Sequence, residues 1–172
     1  LEKRQIINEA LDRLLPKNGI LDEATRYTIL APANRWRPIV TIATAEIYDV
    51  PFNKALSVAC AIEAIHGASM MVDDLPSFDD AMLRRGKSTL HRVYGEGLAI
   101  LASVYNYHLV LSLISKSDLP ESNRTRLTFD YFPNLVDEMI AGQAKDILSK
   151  GKIMTPEQIL QMYKQKSGAL YG

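Results

Sequence analysis

Apolar side chains recur at helical spacing along almost the whole chain. Ile6, Ile7, Ala10, Leu11, Leu14 and Leu15 repeat at intervals of three and four, and Pro16-Lys17-Asn18-Gly19 ends that helix. Asp22 is the expected cap of a short second helix through Leu30, broken by Pro32. Pro38 opens a third, Ile39 to Tyr48. Asn53 is the expected cap of a fourth, in which Ala55, Val58, Ala59, Ile62, Ile65, Ser69 and Val72 follow one another over about five turns. Residues 75–87 read as loop or broken helix, closed by Gly86, and an apolar helix follows from Leu98 to Ile114. Pro120 starts the next, Glu121 to Leu148, with a bend expected at Pro133 and a stop at Gly151. Thr155-Pro156-Glu157-Gln158 has the pattern of a capped helix start. There is no strand alternation and no Asn-Gly or Asp-Gly hairpin signal. The pattern predicts an all-α chain of about seven helices, several apolar on more than one face, as in a bundle or at a subunit interface.

Composition narrows the function classes. The 172 residues are 47% hydrophobic and 23% charged, values of an ordinary globular domain rather than of a disordered chain. Twenty basic and 20 acidic side chains cancel, which disfavours nucleic acid as a partner. A single cysteine, Cys60, builds no disulfide framework and suggests a reducing compartment, so a cytoplasmic location is expected. The apolar run near residue 60 is cut by Glu63 and His66, and no membrane span is expected. Residues 1–172 read as a single domain. The chain starts without Met and stops just after an apolar helical pattern, so it is expected to be the N-terminal part of a longer domain.

The chemistry concentrates in residues 73–92, where eight of 20 positions are charged and the signs are sorted. Asp73, Asp74, Asp79 and Asp80 come first; Arg84, Arg85, Lys87 and Arg92 follow. Four clustered carboxylates repel one another unless a cation lies among them. Hard oxygen donors select Mg2+ or Ca2+ over zinc, and the spacing is not that of a calcium-binding hand. Mg2+ takes one or two carboxylates and shares its remaining positions with substrate phosphate. The neighbouring guanidinium groups match phosphate oxygens, so together the two clusters point to a metal-bridged diphosphate. His66 lies seven residues before Asp73, two turns away on the same helix face. The helix dipole disfavours carboxylates at a C-terminal end, which again asks for a metal.

The run Glu63 to Asp80, with Asp73-Asp74-x4-Asp79, followed by Arg84-Arg85-Gly86-Lys87-Ser88-Thr89, closely resembles the first aspartate-rich region of the trans-isoprenyl diphosphate synthases of farnesyl and geranylgeranyl type. Arg35-Trp36-Arg37-Pro38 resembles that family's Gly-Lys-Arg-x-Arg-Pro segment, Gly142-Gln143-Ala144-Lys145-Asp146 its Gly-Gln-x-x-Asp segment, and Lys166-Ser167-Gly168-Ala169-Leu170 its Lys-Thr-Gly-Ala-Leu segment. The resemblance implies an isoprenoid-synthase-type helical bundle around a central apolar cavity, here partial. It implies a Mg2+-dependent head-to-tail condensation of isopentenyl diphosphate with a dimethylallyl, geranyl or farnesyl diphosphate, in a homodimer. On it, Asp73, Asp74 and Asp79 hold the metal. Arg84, Lys166 and Ser167 grip the allylic diphosphate with Gln143 nearby, and Arg37, His66 and Arg85 grip isopentenyl diphosphate. Lys166 is included with the aspartates among the catalytic residues. Ala68 and Ser69, small residues where bulk stops the growing chain in that family, imply a geranylgeranyl rather than a farnesyl product.

Three departures qualify the resemblance. Asn34 stands where the family has the lysine of Gly-Lys-Arg, Ser88 replaces a proline, and Ser103-Val104 replaces Gly-Asp. The family's second aspartate-rich cluster is expected beyond Gly172. Two other readings share these residues. One is a non-catalytic partner resembling the small subunits of such synthases; the other is a terpene cyclase of related fold.

Overall fold

The computed structural model describes residues 2–171. The chain, expected as one domain, divides into two compact units, Leu1–Asp118 and Leu119–Gly172. The first unit holds α1 (Glu2–Leu14), α2 (Ile20–Ile29), α3 (Trp36–Ile47), α4 (Phe52–Asp73), β1 (Leu83–Arg84), β2 (Lys87–Ser88), α5 (Leu90–Tyr94) and α6 (Glu96–Ser115). The second holds α7 (Glu121–Arg126), a π-helical turn (Leu127–Tyr131), α8 (Phe132–Ser149), α9 (Pro156–Lys166) and a 3-10 turn (Gly168–Leu170). The all-α expectation holds, apart from the small hairpin and the extra short α5.

In the first unit α4 is the central helix, packed against α1, α2, α3 and α6. Its buried Ala55, Ala59, Ala61, Ala64 and Ala68 are small, which lets neighbouring backbones approach closely. Gly67 serves the same end, since a Cβ there would meet Ile29 Cγ1 at 2.8 Å. Both α4 and α6 are long and apolar enough to cross a membrane by length and composition, which corrects the expectation that no such run exists. Residues 97–115 of α6 contain no Asp, Glu, Lys or Arg. Much of this apolar surface is used inside the unit, with 61% of the apolar window buried for α4 and 44% for α6.

Several boundaries moved for identifiable reasons. Helix α2 begins at Ile20, so Asp22 is no cap but sits inside its first turn. There its carboxylate accepts the Asn18 amide at 2.8 Å and the Tyr105 hydroxyl at 2.7 Å. Helix α4 begins after Pro51 rather than at Asn53. Where a bend was expected at Pro133, a π-helical turn stands just before it. Proline offers no N–H and its ring crowds the carbonyl four residues back, and a widened turn relieves both. Thr155 does cap α9: its hydroxyl accepts the Gln158 amide and Gln158 Oε1 accepts the Thr155 amide at 2.9 Å.

Candidate diphosphate-binding site

Along α4 the half-buried positions Val58, Ile62, His66, Ser69 and Asp73 form one stripe at spacings of three and four, while the positions around them are mostly buried. This stripe places His66 and Asp73 on one face, as their seven-residue separation predicted. Ser69 lies between them. Ala68 does not share the stripe: it is fully buried, and its carbonyl accepts the Ser103 hydroxyl of α6 at 3.1 Å.

Beyond Asp73 the backbone folds back on itself. The Asp79 amide donates to the Asp73 carbonyl at 3.0 Å, the Asp80 amide to Leu75 at 3.0 Å, and the Ala81 amide to Asp74 at 3.2 Å. The turn therefore brings Asp79 beside Asp73 at the C-terminal end of α4. Asp74, expected with Asp73 and Asp79 in the metal set, meets a guanidinium. It is 3% exposed, and Arg84 Nε donates to its two carboxylate oxygens at 2.8 and 2.9 Å while Arg84 Nη2 also donates to Oδ1. Among the described residues, no three His, Cys, Asp or Glu side chains converge as a metal-binding group. Two adjacent aspartates offering hard oxygens still suit Mg2+, which needs only one or two carboxylates beside phosphate.

Arg84 and Arg85 ride on an unexpected hairpin. Leu83 pairs with Ser88 and Arg84 with Lys87, leaving Arg85-Gly86 as a two-residue turn with φ of 54° and 78°. Both central residues of this turn are left-handed, which Gly86 allows at no cost and Arg85 adopts under strain. Arg85 Nη2 lies 3.7 Å from Met70 Sδ, so the hairpin tip reaches back over α4, and Arg85 Nη1 is buried with no hydrogen-bond partner among the described residues.

His66 carries the electrostatic record of this cluster. Its pKa is pushed down to about 3, first by burial and then by the positive charges of Arg37, Arg85, Arg84 and Arg35. The imidazole is therefore neutral at physiological pH and sits in a strongly positive field, as a pocket for a polyanion requires. Tyr107 on α6, which the sequence reading passed over, also senses the site: burial and the Asp73 charge raise its hydroxyl to about 12.

Arg35, in the Arg-Trp-Arg-Pro segment, is no surface charge. It is 3% exposed, with Nη1 on Glu63 Oε1 at 2.6 Å, Nε on Asn8 Oδ1 at 2.8 Å and Nη2 on the Ala31 carbonyl at 3.2 Å. Its φ of 57° precedes α3, and Arg37, two residues further on, is half-buried. Asn34 is exposed beside it.

In the second unit Lys166 ends α9 and reaches Asp146 Oδ2 on α8 at 2.5 Å. Gln143 is half-buried one turn before Asp146, and Ser167 follows Lys166 as the helix cap. The two motifs thus meet face to face within this unit. Their approach depends on Gly142, whose position against the Lys166 backbone leaves no space for a Cβ.

The family model described as polyprenyl synthetase matches residues 18–172. The chain is 37% identical over 154 residues to a geranylgeranyl pyrophosphate synthase of Arabidopsis thaliana, covering 88% of this chain and 41% of that protein. It is 36% identical over 177 residues to the farnesyl diphosphate synthase of Geobacillus stearothermophilus, covering 98% of this chain and 59% of that protein. A solved geranyltranstransferase from Thermotoga maritima superposes with a TM-score of 0.86 at 34% identity, covering 98% of this chain and 63% of that one. The chain thus spans between about two fifths and two thirds of the length of these relatives. With the match extending over nearly all its residues, the chain belongs to the polyprenyl synthetase family.

Proposed function

We propose that this chain serves a Mg2+-dependent prenyltransferase that condenses an allylic diphosphate with isopentenyl diphosphate head to tail. The observation that carries the reading is His66 on the α4 stripe, sharing its face with Asp73 and kept neutral by burial and by the charges of Arg37, Arg85 and Arg84. Asp73 and Asp79 would hold Mg2+, which when bound draws off charge developing on the leaving diphosphate. The arginines meet diphosphate oxygens as fixed donors that need no rearrangement during reaction. His66, being neutral, donates one hydrogen bond without adding charge. In the second unit Lys166, Ser167 and Gln143 are assigned diphosphate oxygens, Lys166 held in place by Asp146.

In this reaction the allylic carbon–oxygen bond breaks and its electron pair leaves on diphosphate. The isopentenyl double bond attacks the resulting cation, and a proton passes from the new product to the departing diphosphate. The apolar stretch of the α4 stripe, Val58 and Ile62, supplies surface that excludes water from the cation. Small Ser69, on the stripe, favours a geranylgeranyl over a farnesyl product.

A homodimer accompanies this reading, supported by exposed Ile100, Leu101, Val104 and Leu111 along one side of α6. The lone buried Cys60 supports a reducing, cytoplasmic setting. The decisive assay supplies labelled isopentenyl diphosphate with geranyl or farnesyl diphosphate and Mg2+. Incorporation of label into a longer prenyl diphosphate is expected. A cyclase consumes no isopentenyl diphosphate, and a non-catalytic subunit alone gives no product, so either result refutes the proposal.

A further inference from the structure

A buried ion pair stands behind two of the side chains assigned to isopentenyl diphosphate. Arg35 precedes Arg37 by two residues where α3 starts, and Glu63 precedes His66 by three, about one turn of α4. Arg35 Nη1 donates to Glu63 Oε1 at 2.6 Å, with both side chains almost wholly shut off from water. The pair therefore joins the start of α3 to the turn of α4 that carries His66. The positive charges of Arg37 and Arg35 both act on His66, so the three side chains lie within electrostatic reach of one another.

The rest of the Arg35 guanidinium is also taken up. Its Nε donates to Asn8 Oδ1 on α1 at 2.8 Å, and its Nη2 to the Ala31 carbonyl, just past the end of α2, at 3.2 Å. One side chain thus ties the start of α3 to three other helices. Stability alone does not call for this, since apolar residues of similar volume often replace a buried ion pair without loss.

The backbone points the same way. Arg35 caps α3 with φ of 57°, a left-handed conformation that strains a residue carrying a Cβ. Its carbonyl accepts the Ile39 amide at 3.0 Å, the first hydrogen bond of the helix. Its side chain caps nothing and goes instead to the tertiary ties. Such strain persists only where the surroundings over-determine it, as these three contacts do. The turn leaves buried Arg35, exposed Trp36 and half-buried Arg37 in succession, so the place of Arg37 in the first turn follows from the conformation at Arg35.

We infer that Arg35, locked by Glu63, Asn8 and the Ala31 carbonyl, is a positioning residue for isopentenyl diphosphate: it touches no substrate, and it sets the spacing between Arg37 on α3 and His66 on α4. The inference rests on the proposed prenyltransferase reading and assigns the buried pair a task within it.

Calorimetric titration of the chain with isopentenyl diphosphate, and separately with magnesium pyrophosphate, tests this. Arg35→Met with Glu63→Leu replaces the pair by apolar residues and is expected to keep the chain folded. It should bind isopentenyl diphosphate about tenfold more weakly, with magnesium pyrophosphate affinity unchanged. Parental affinity for isopentenyl diphosphate in this folded double variant would overturn the inference, because the pair would then serve stability alone. Equal losses for both ligands would overturn it too. Should the double variant fail to fold, Asn8→Ala decides, since it removes one of the three ties and leaves the ion pair in place. A loss of about threefold confined to isopentenyl diphosphate is expected there, and no loss would count against the inference. Failure of the unsubstituted chain to bind either ligand would instead refute the functional reading beneath it.

Discussion

Gly142 and Lys166 touch through their backbones: a Cβ built on Gly142 would lie 2.2 Å from the Lys166 amide nitrogen and 2.6 Å from its Cα. The glycine of one motif is therefore what allows the lysine of the other to approach and meet Asp146. Because the obstacle is main chain, no rotamer change can absorb it. Gly142→Ala gains about 1 kcal/mol of helix propensity, but overpacking costs typically about 1–3 kcal/mol or more, and α9 must move. The expected outcome is a net loss of stability in urea unfolding together with weakened pyrophosphate binding. An alanine variant matching the parent in both would show that α8 and α9 can separate freely.

The helices and the acid-then-base stretch were legible because each is a local pattern. Periodicity marked α1 to α4, and Thr155 with Gln158 declared its cap within four residues. What stayed hidden depends on partners distant in sequence. Arg35 and Glu63 are 28 residues apart, and nothing near Arg35 shows that it is buried. Asp22 looked like a cap because one of its partners, Tyr105, is 83 residues away. The hairpin at Arg85-Gly86 was not legible because an arginine in a left-handed turn is rare and its side-chain ties, Arg84 to Asp74 and Arg85 to Met70, lie 10 and 15 residues away. The single detectable signal was Gly86 itself, read as the end of a loop.

The Arg35–Glu63 pair is buried, its side chains 1% and 4% exposed. Removing one partner from such a pair strands a charge away from water and costs about 3–5 kcal/mol. Glu63→Gln should therefore destabilise the chain by about that amount, seen as a lower denaturant midpoint with unchanged slope. Arg35→Met with Glu63→Leu should recover much of the loss. A Glu63→Gln variant within about 0.5 kcal/mol of the parent would mean the guanidinium is satisfied by Asn8 and Ala31 alone.

His66 makes stability depend on pH in a defined window. Its ordinary value is 6.5 and its folded value about 3, held down first by burial and then by four arginines. Between those two values the unfolded chain binds the proton and the folded chain does not. The contribution is fully present above about pH 6.5 and is lost as pH falls towards 3. Relative to the parent, His66→Gln should gain ground steadily below pH 6.5, with a constant difference above it. The ring resonances of His66 should show no titration between pH 5 and 8 or so; an inflection near 6.5 would remove the basis for a neutral histidine at the site.

Ser69 and Ala68 part company over chain length. Ser69 is on the half-buried stripe with His66 and Asp73, so a tyrosine there extends along the face assigned to substrate. Ala68 is fully buried, its carbonyl bonded to Ser103 of α6. A tyrosine at 68 must therefore displace packed atoms between α4 and α6, at a cost of about 1–3 kcal/mol or more. Ser69→Tyr is expected to shorten the prenyl product by at least one isoprene unit, resolved by chromatography after incubation with labelled isopentenyl diphosphate. Ala68→Tyr is expected to lower the unfolding temperature as well, so that any product change comes with reduced stability. If Ser69→Tyr left the product distribution unchanged while Ala68→Tyr shortened it at undiminished stability, the tail would run between α4 and α6 rather than along the stripe.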